Sequence, residues 1–183
     1  MGSRRSFMML MENQASGPTY ETPAYENAGG TGDRTALITV TSNITPDASP
    51  VDWQELVNGL DADATNMYWN NIDVTGKYIQ LHYESLVLLT ELKLKTSGGY
   101  DGAFGDSTWK IRGSINGTDW IDLCVARLMV GAGDVWRTGS GTFVFVFPSN
   151  AMGYSDFQIY GAGGSLSGYM VPREVECKIG NPT

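Results

Sequence analysis

Two glycine-rich stretches carry side chains suited to touching a ligand. Residues 97–106 read Ser-Gly-Gly-Tyr-Asp-Gly-Ala-Phe-Gly-Asp, with Tyr100 and Phe104 as aromatic faces and Asp101 as an acceptor. Residues 131–139 set Trp136 beside Arg137. Loops of this kind bring aromatic rings and planar donors to sugars or to protein pockets. The competing reading is that Tyr100, Phe104 and Trp136 pack beneath their own loops. Little in the chain suits covalent chemistry. His82 is the single histidine; its strand phase points it outward, where a histidine is ordinary surface. Cys124 and Cys177 form no CxxC pair, which excludes a zinc site of the usual spacing; each lies in an apolar run and is read as a reduced core thiol. Residues 161–164, Gly-Ala-Gly-Gly, follow a strand but open no helical pattern, so the dinucleotide reading fails its context. These residues describe a protein that binds or holds something rather than an enzyme.

The elements that position them are short and alternating. Ile79, Leu81 and Tyr83 alternate with Gln80 and His82, and Leu92 and Leu94 with lysines, which is the period of half-buried strands. Further strands are read at 36–41, 109–113, 120–126, 141–147, 156–160 and 173–179. Asn116-Gly117 marks a hairpin, because both residues tolerate positive φ. Residues 50–60 form one short helical turn, with Trp53, Leu56 and Val57 at helical spacing. This texture is that of an all-β antiparallel sandwich, with Ile79, Leu81, Leu92, Leu94, Trp109, Ile111, Phe145, Val175 and Cys177 facing the core. With 42% hydrophobic residues in 183, one domain has ample core. The formal charge of −8 speaks against a nucleic-acid partner. No stretch approaches the roughly 20 apolar residues of a membrane span.

Residues 1–30 read as an extended arm ahead of a domain at 31–183. The arm holds one apolar run, Phe7, Met8, Met9, Leu10 and Met11, which stops at Glu12 and is shorter than a secretory core. It is read either as a disordered leader or as an anchor that docks onto a neighbouring subunit.

Laid in order, the segments resemble the galactose-binding-like jelly roll of the discoidin (coagulation factor C-type) superfamily. Three stretches carry the likeness: residues 77–94, residues 109–120 (Trp-Lys-Ile-Arg-Gly-Ser-Ile-Asn-Gly-Thr-Asp-Trp), and residues 156–160 with 173–177. Asn116 stands where the family has Asp, and Gln158 where it often has Arg. The resemblance implies a jelly roll that binds sugars, lipids or proteins through variable loops. It also implies a Ca²⁺ site, matched here by Asp61 with Glu174, although Asp61 and Asp63 equally suit turns. The family's terminal disulfide is missing. The arm and the absence of a secretory start resemble virion proteins of tailed bacteriophages, in capsid decoration or fibre roles. The expectation is therefore a non-enzymatic virion accessory protein, assembled in bacterial cytoplasm and exposed outside. It would be homo-oligomeric, anchored to capsid or tail proteins through Phe7–Met11 and free to meet a cell-surface glycan. The alternative is a carbohydrate-binding module of a bacterial surface system.

Overall fold

The computed structural model describes residues 18–46, 51–60, 69–70, 72–96, 107–125, 127–128, 142–147, 152–166 and 169–183. The strands are β1 (Ile38–Ser42), β2 (Trp69–Asn70), β3 (Tyr78–Thr96), β4 (Thr108–Ser114), β5 (Ile121–Asp122), β6 (Arg127–Leu128), β7 (Thr142–Val146), β8 (Tyr154–Gly163), β9 (Tyr169–Met170) and β10 (Pro172–Gly180). A 3₁₀ helix, Trp53–Val57, is the only helical element among the described residues. All strand pairs are antiparallel. The all-β jelly-roll expectation holds, and the nine residues expected in the core are all fully buried.

β3 organises the molecule. The two alternating runs, one through Ile79, Leu81 and Tyr83 and one through Leu92 and Leu94, belong to one strand of 19 residues. Its first half joins a front sheet in the order β1-β3-β8-β4-β5, and its second half pairs with β7 and β10 behind. The crossing falls at the exposed residues 84–86, where the register with β8 shifts between His82 and Val87. A second irregularity, at Thr90, changes which residues point inward. Lys178 pairs with Glu91 but Ile179 with Leu89, so Thr90 is the extra residue of a bulge. Before it Ile79, Leu81, Tyr83, Val87 and Leu89 are buried; after it Leu92 and Leu94 are. An inserted residue in a period-2 strand has this effect.

Two local expectations are corrected. Asn116-Gly117 does lie in the hairpin between β4 and antiparallel β5, but the connection runs from Ile115 to Trp120, because β4 ends at Ser114 and β5 begins at Ile121. Side chains build a wider loop. Ser114 Oγ accepts from the amides of Asn116 (3.2 Å) and Gly117 (3.0 Å), and Asn116 Oδ1 accepts from those of Thr118 (3.0 Å) and Asp119 (2.9 Å). Gly117 takes the positive φ of 71°. Trp120 consequently lies in the loop rather than opening a strand. The helical turn expected over 50–60 is shorter, capped by Asp52, whose carboxylate accepts from the Gln54 amide at 2.9 Å.

Residues 18–30, inside the segment read as an arm, run antiparallel beside β10. Ala24 N donates to Ile179 O (3.0 Å), Ile179 N to Ala24 O (3.2 Å), and Cys177 N to Gly30 O (2.9 Å). A Cβ on Gly30 would stand 2.2 Å from Tyr25 O, so only glycine lets this strap close. Arg34 locks it. The guanidinium is buried with Glu174, at 1% and 3% side-chain exposure. It donates to Gly32 O and Gly30 O, each at 2.9 Å, and to Glu174 Oε1, while the Arg34 amide bonds Val57 O at 2.8 Å. Strap, β10 and 3₁₀ helix thus meet on one residue, the first two on its guanidinium and the third on its amide.

Candidate functional site

The outward face of the front sheet is where polar side chains converge. Register places Thr41, Gln80, Gln158, Arg112 and Asp122 in one row across β1, β3, β8, β4 and β5. A second row holds Thr39, His82, Asp156 and Ser114, and a third holds Tyr78, Tyr160 and Lys110. The opposite face of these strands carries Ile79, Leu81, Phe157, Ile159, Trp109 and Ile111, all in the core. The hydrophobic alternation that builds the sandwich therefore also arrays the polar set.

These side chains form one hydrogen-bonded chain. Asp156 Oδ1 accepts from Gln80 Nε2 at 3.0 Å and from His82 Nδ1 at 2.9 Å, and Asp156 Oδ2 accepts from Ser155 Oγ at 2.8 Å. Gln158 Nε2 donates to Gln80 Oε1 at 2.7 Å, and Arg112 Nε donates to Gln158 Oε1 at 2.8 Å. The guanidinium carbon of Arg112 stands 3.6 Å from the centre of the Tyr160 ring and 4.9 Å from that of Trp120, both cation–π distances. Lys110 Nζ pairs with Asp122 Oδ2 at 2.7 Å.

Burial separates the set into support and contact. Asp156 and Gln158 are only 4% and 3% exposed although they point away from the core, because their neighbours roof them. The side chain of His82 is 48% exposed, and Arg112 and Trp120 are half-buried. Burying a carboxylate and a carboxamide costs solvation that a row of threonines or valines would not incur. This arrangement orients an imidazole and a guanidinium through hydrogen bonds to two buried side chains. Sequence reading took His82 for ordinary surface and missed the row. The available signal was Asp156 and Gln158 alternating with Phe157 and Ile159, since Asp is disfavoured in strand interiors.

Of the residues expected to bind, Tyr100, Asp101, Phe104, Trp136 and Arg137 lie outside the described residues, as do the anchor residues Phe7, Met8, Met9, Leu10 and Met11. Asp61 lies outside them too. Glu174 is described, and Arg34 occupies its Oε1, while Oε2 is buried with no hydrogen-bond partner among the described residues. A cation ligated by this carboxylate would face a buried positive charge. Among the described residues no group of three or more His, Cys, Asp or Glu is placed to hold a metal. Of Asp61 and Glu174, the pair expected to hold calcium, one member thus lies outside the described residues and the other is held by Arg34. Cys124 and Cys177 are free thiols; Cys177 is buried, and burial pushes its pKa above the usual thiol value.

No protein-family model and no curated protein matches this sequence. Solved structures do. The module CBM32-1 from a family 31 glycoside hydrolase of Clostridium perfringens superposes with a TM-score of 0.54 at 14% identity, over 77% of this chain and 93% of that one. The family 32 carbohydrate-binding module of C. perfringens NanJ, solved in complex with galactose, gives 0.54 at 11% identity, over 80% and 97%. Chitosan-binding module 1 of a chitosanase/glucanase from Paenibacillus gives 0.52 at 14%, over 80% and 97%. At these identities the likeness shows the fold, a galactose-binding-like jelly roll of the kind used by carbohydrate-binding modules. All three are described as binding modules. None of these three is a virion protein.

Proposed function

We propose that this chain is a non-catalytic carbohydrate-binding module and that its contact surface includes the outward face of β3, β8 and β4. One observation carries the reading: two buried polar side chains, Asp156 and Gln158, orient an exposed imidazole and a guanidinium held at cation–π distance from two aromatic rings. Sugars are recognised by planar donors and acceptors beside aromatic faces, and a rigid first layer lowers the cost of binding. That several structural neighbours are carbohydrate-binding modules, one solved with galactose, supports the same reading. The loops at 97–106 and 131–139, with Tyr100, Asp101, Phe104, Trp136 and Arg137, are further candidates for sugar contact. The test is a glycan array of neutral and acidic oligosaccharides, followed by calorimetry on the hits. Saturable binding to at least one glycan class is expected, and no binding to any glycan would overturn the proposal.

A further inference from the structure

One cation of the front face has no carboxylate partner among the described residues. Asp156 is committed to Gln80, His82 and Ser155. Asp122 lies directly opposite Arg112 in the register between β4 and β5, yet its carboxylate goes to Lys110. Arg112 is thereby left with Nε held by Gln158, both ring contacts in place, and no carboxylate partner among the described residues. Its two η nitrogens make no hydrogen bond among the described residues. A guanidinium fork with an unspent edge is the donor geometry that a carboxylate matches with two parallel bonds.

The surroundings define what carries that carboxylate. Trp120 borders the guanidinium at 4.9 Å and supplies an apolar wall beside the charged edge. His82 lies two strands away and one row further on. Strands about 4.8 Å apart and rows about 6.8 Å apart put Arg112 and His82 on the order of 12 Å from each other at the backbone. That span takes two linked pyranose rings, with an acid group at the Arg112 end and ring hydroxyls at the His82 end.

We infer that the outward face of β3, β8 and β4 recognises an acidic sugar, a uronic-acid-type residue whose carboxylate docks on Arg112 while the neighbouring ring reaches His82. The inference rests on the carbohydrate-binding reading and narrows it to a ligand class and a residue. Gln158, Gln80 and Asp156 act as positioning residues for the fork. The molecule's net charge of −8 repels anionic glycans at long range, so recognition depends on this local cation and weakens little as salt screens that repulsion.

The experiment is calorimetry with trigalacturonate, its methyl ester and a neutral galactose trisaccharide. Wild-type protein, Arg112→Gln, Arg112→Lys and Asp122→Asn are compared, and melting temperatures are recorded alongside. The acid form is expected to bind at least tenfold more tightly than its ester. Arg112→Gln should abolish that preference and Arg112→Lys restore only part of it, because an ammonium lacks the fork. Asp122→Asn, at an exposed position, should tighten acid binding severalfold by freeing Lys110. Equal binding of acid and ester, or an acid preference that survives Arg112→Gln, overturns the inference. If neutral glycans bind and acidic ones do not, the module reading stands and the acidic-sugar inference falls. Should Arg112→Gln melt more than about 5 °C below wild type, Asp122→Asn alone decides: unchanged acid affinity refutes the role of this face.

Discussion

The two outer faces of the sandwich carry similar polar side chains and use them in opposite ways. On the back, Lys95 pairs with Glu176 at 2.8 Å. Tyr25, from the strap, donates to Glu91 at 2.5 Å, and Lys93 Nζ lies 3.8 Å from the centre of the Tyr25 ring. Lys95 and Lys93 there each meet an anion or a ring of the same chain, and Tyr25 of the strap lies over Lys93. On the front, the network ends on His82 and Arg112 without a covering segment among the described residues. Complementary charges that close on one another hold a chain together. A polar row that leaves its last donors unspent is built toward something outside it. The same residue types thus serve packing or recognition according to whether their bonding capacity is used up at home.

The contrast can be broken most directly at Arg34. Removing one member of a buried ion pair leaves the other uncompensated, so Arg34→Ala should cost about 3–5 kcal/mol in chemical denaturation. A loss below about 1 kcal/mol would mean that the strap is not locked by this side chain. Next in size is the core beneath both faces: Ile111→Ala, at a fully buried position, should cost about 2–5 kcal/mol. Tyr25→Phe removes a hydrogen bond to a charged group that is partly exposed, with an expected loss of about 1 kcal/mol.

That substitution has a pH signature. Burial first, then the hydrogen bond and charge of Glu91, raise the Tyr25 phenol far above its ordinary value of 10.0. The folded chain then holds a proton that the unfolded chain releases as pH passes 10, so this contribution is complete below pH 10 and is lost above it. Buried Tyr83 shifts in the same direction. Wild-type stability should therefore fall between about pH 9 and 11, and less steeply in Tyr25→Phe. Equal slopes would show that Tyr25 ionises as freely in the fold as out of it. The smallest effect belongs to the front: His82→Gln, at a side chain 48% exposed, should change stability by less than about 0.5 kcal/mol while altering binding. A stability loss near that of Arg34→Ala, with glycan binding intact, would reduce the front row to packing.

Most of the architecture was legible from period alone. Ile79, Leu81, Leu92, Leu94 and Ile111 declare their strands because apolar residues recur every second position, and a sheet buried on one face requires that. The continuity of β3 was not legible. Glu84, Ser85 and Leu86 look like a turn, yet they are the exposed crossing between two sheets. The front row was invisible for a different reason. Gln80, Arg112 and Gln158 each look like an outward residue on its own strand, and only pairings that span 78 and 46 positions bring them together. Arg34 illustrates the same limit. It follows Gly32 and Asp33 like a solvated turn residue, and its carboxylate partner is 140 positions away.

The length of β3 sets how the molecule opens. A sandwich whose sheets share no strand can lose one sheet while the other persists. Here β1, β8, β7 and β10 all hydrogen-bond to a single strand. Peeling any of them leaves β3 anchored by the rest, but releasing β3 dissolves front and back together. Amide protons at Leu81, in the front half, and at Leu94, in the back half, should therefore exchange with solvent through one shared opening event. Their protection should fall in parallel as denaturant is added, with a common slope, because cooperative units follow the connectivity of the hydrogen-bonded framework.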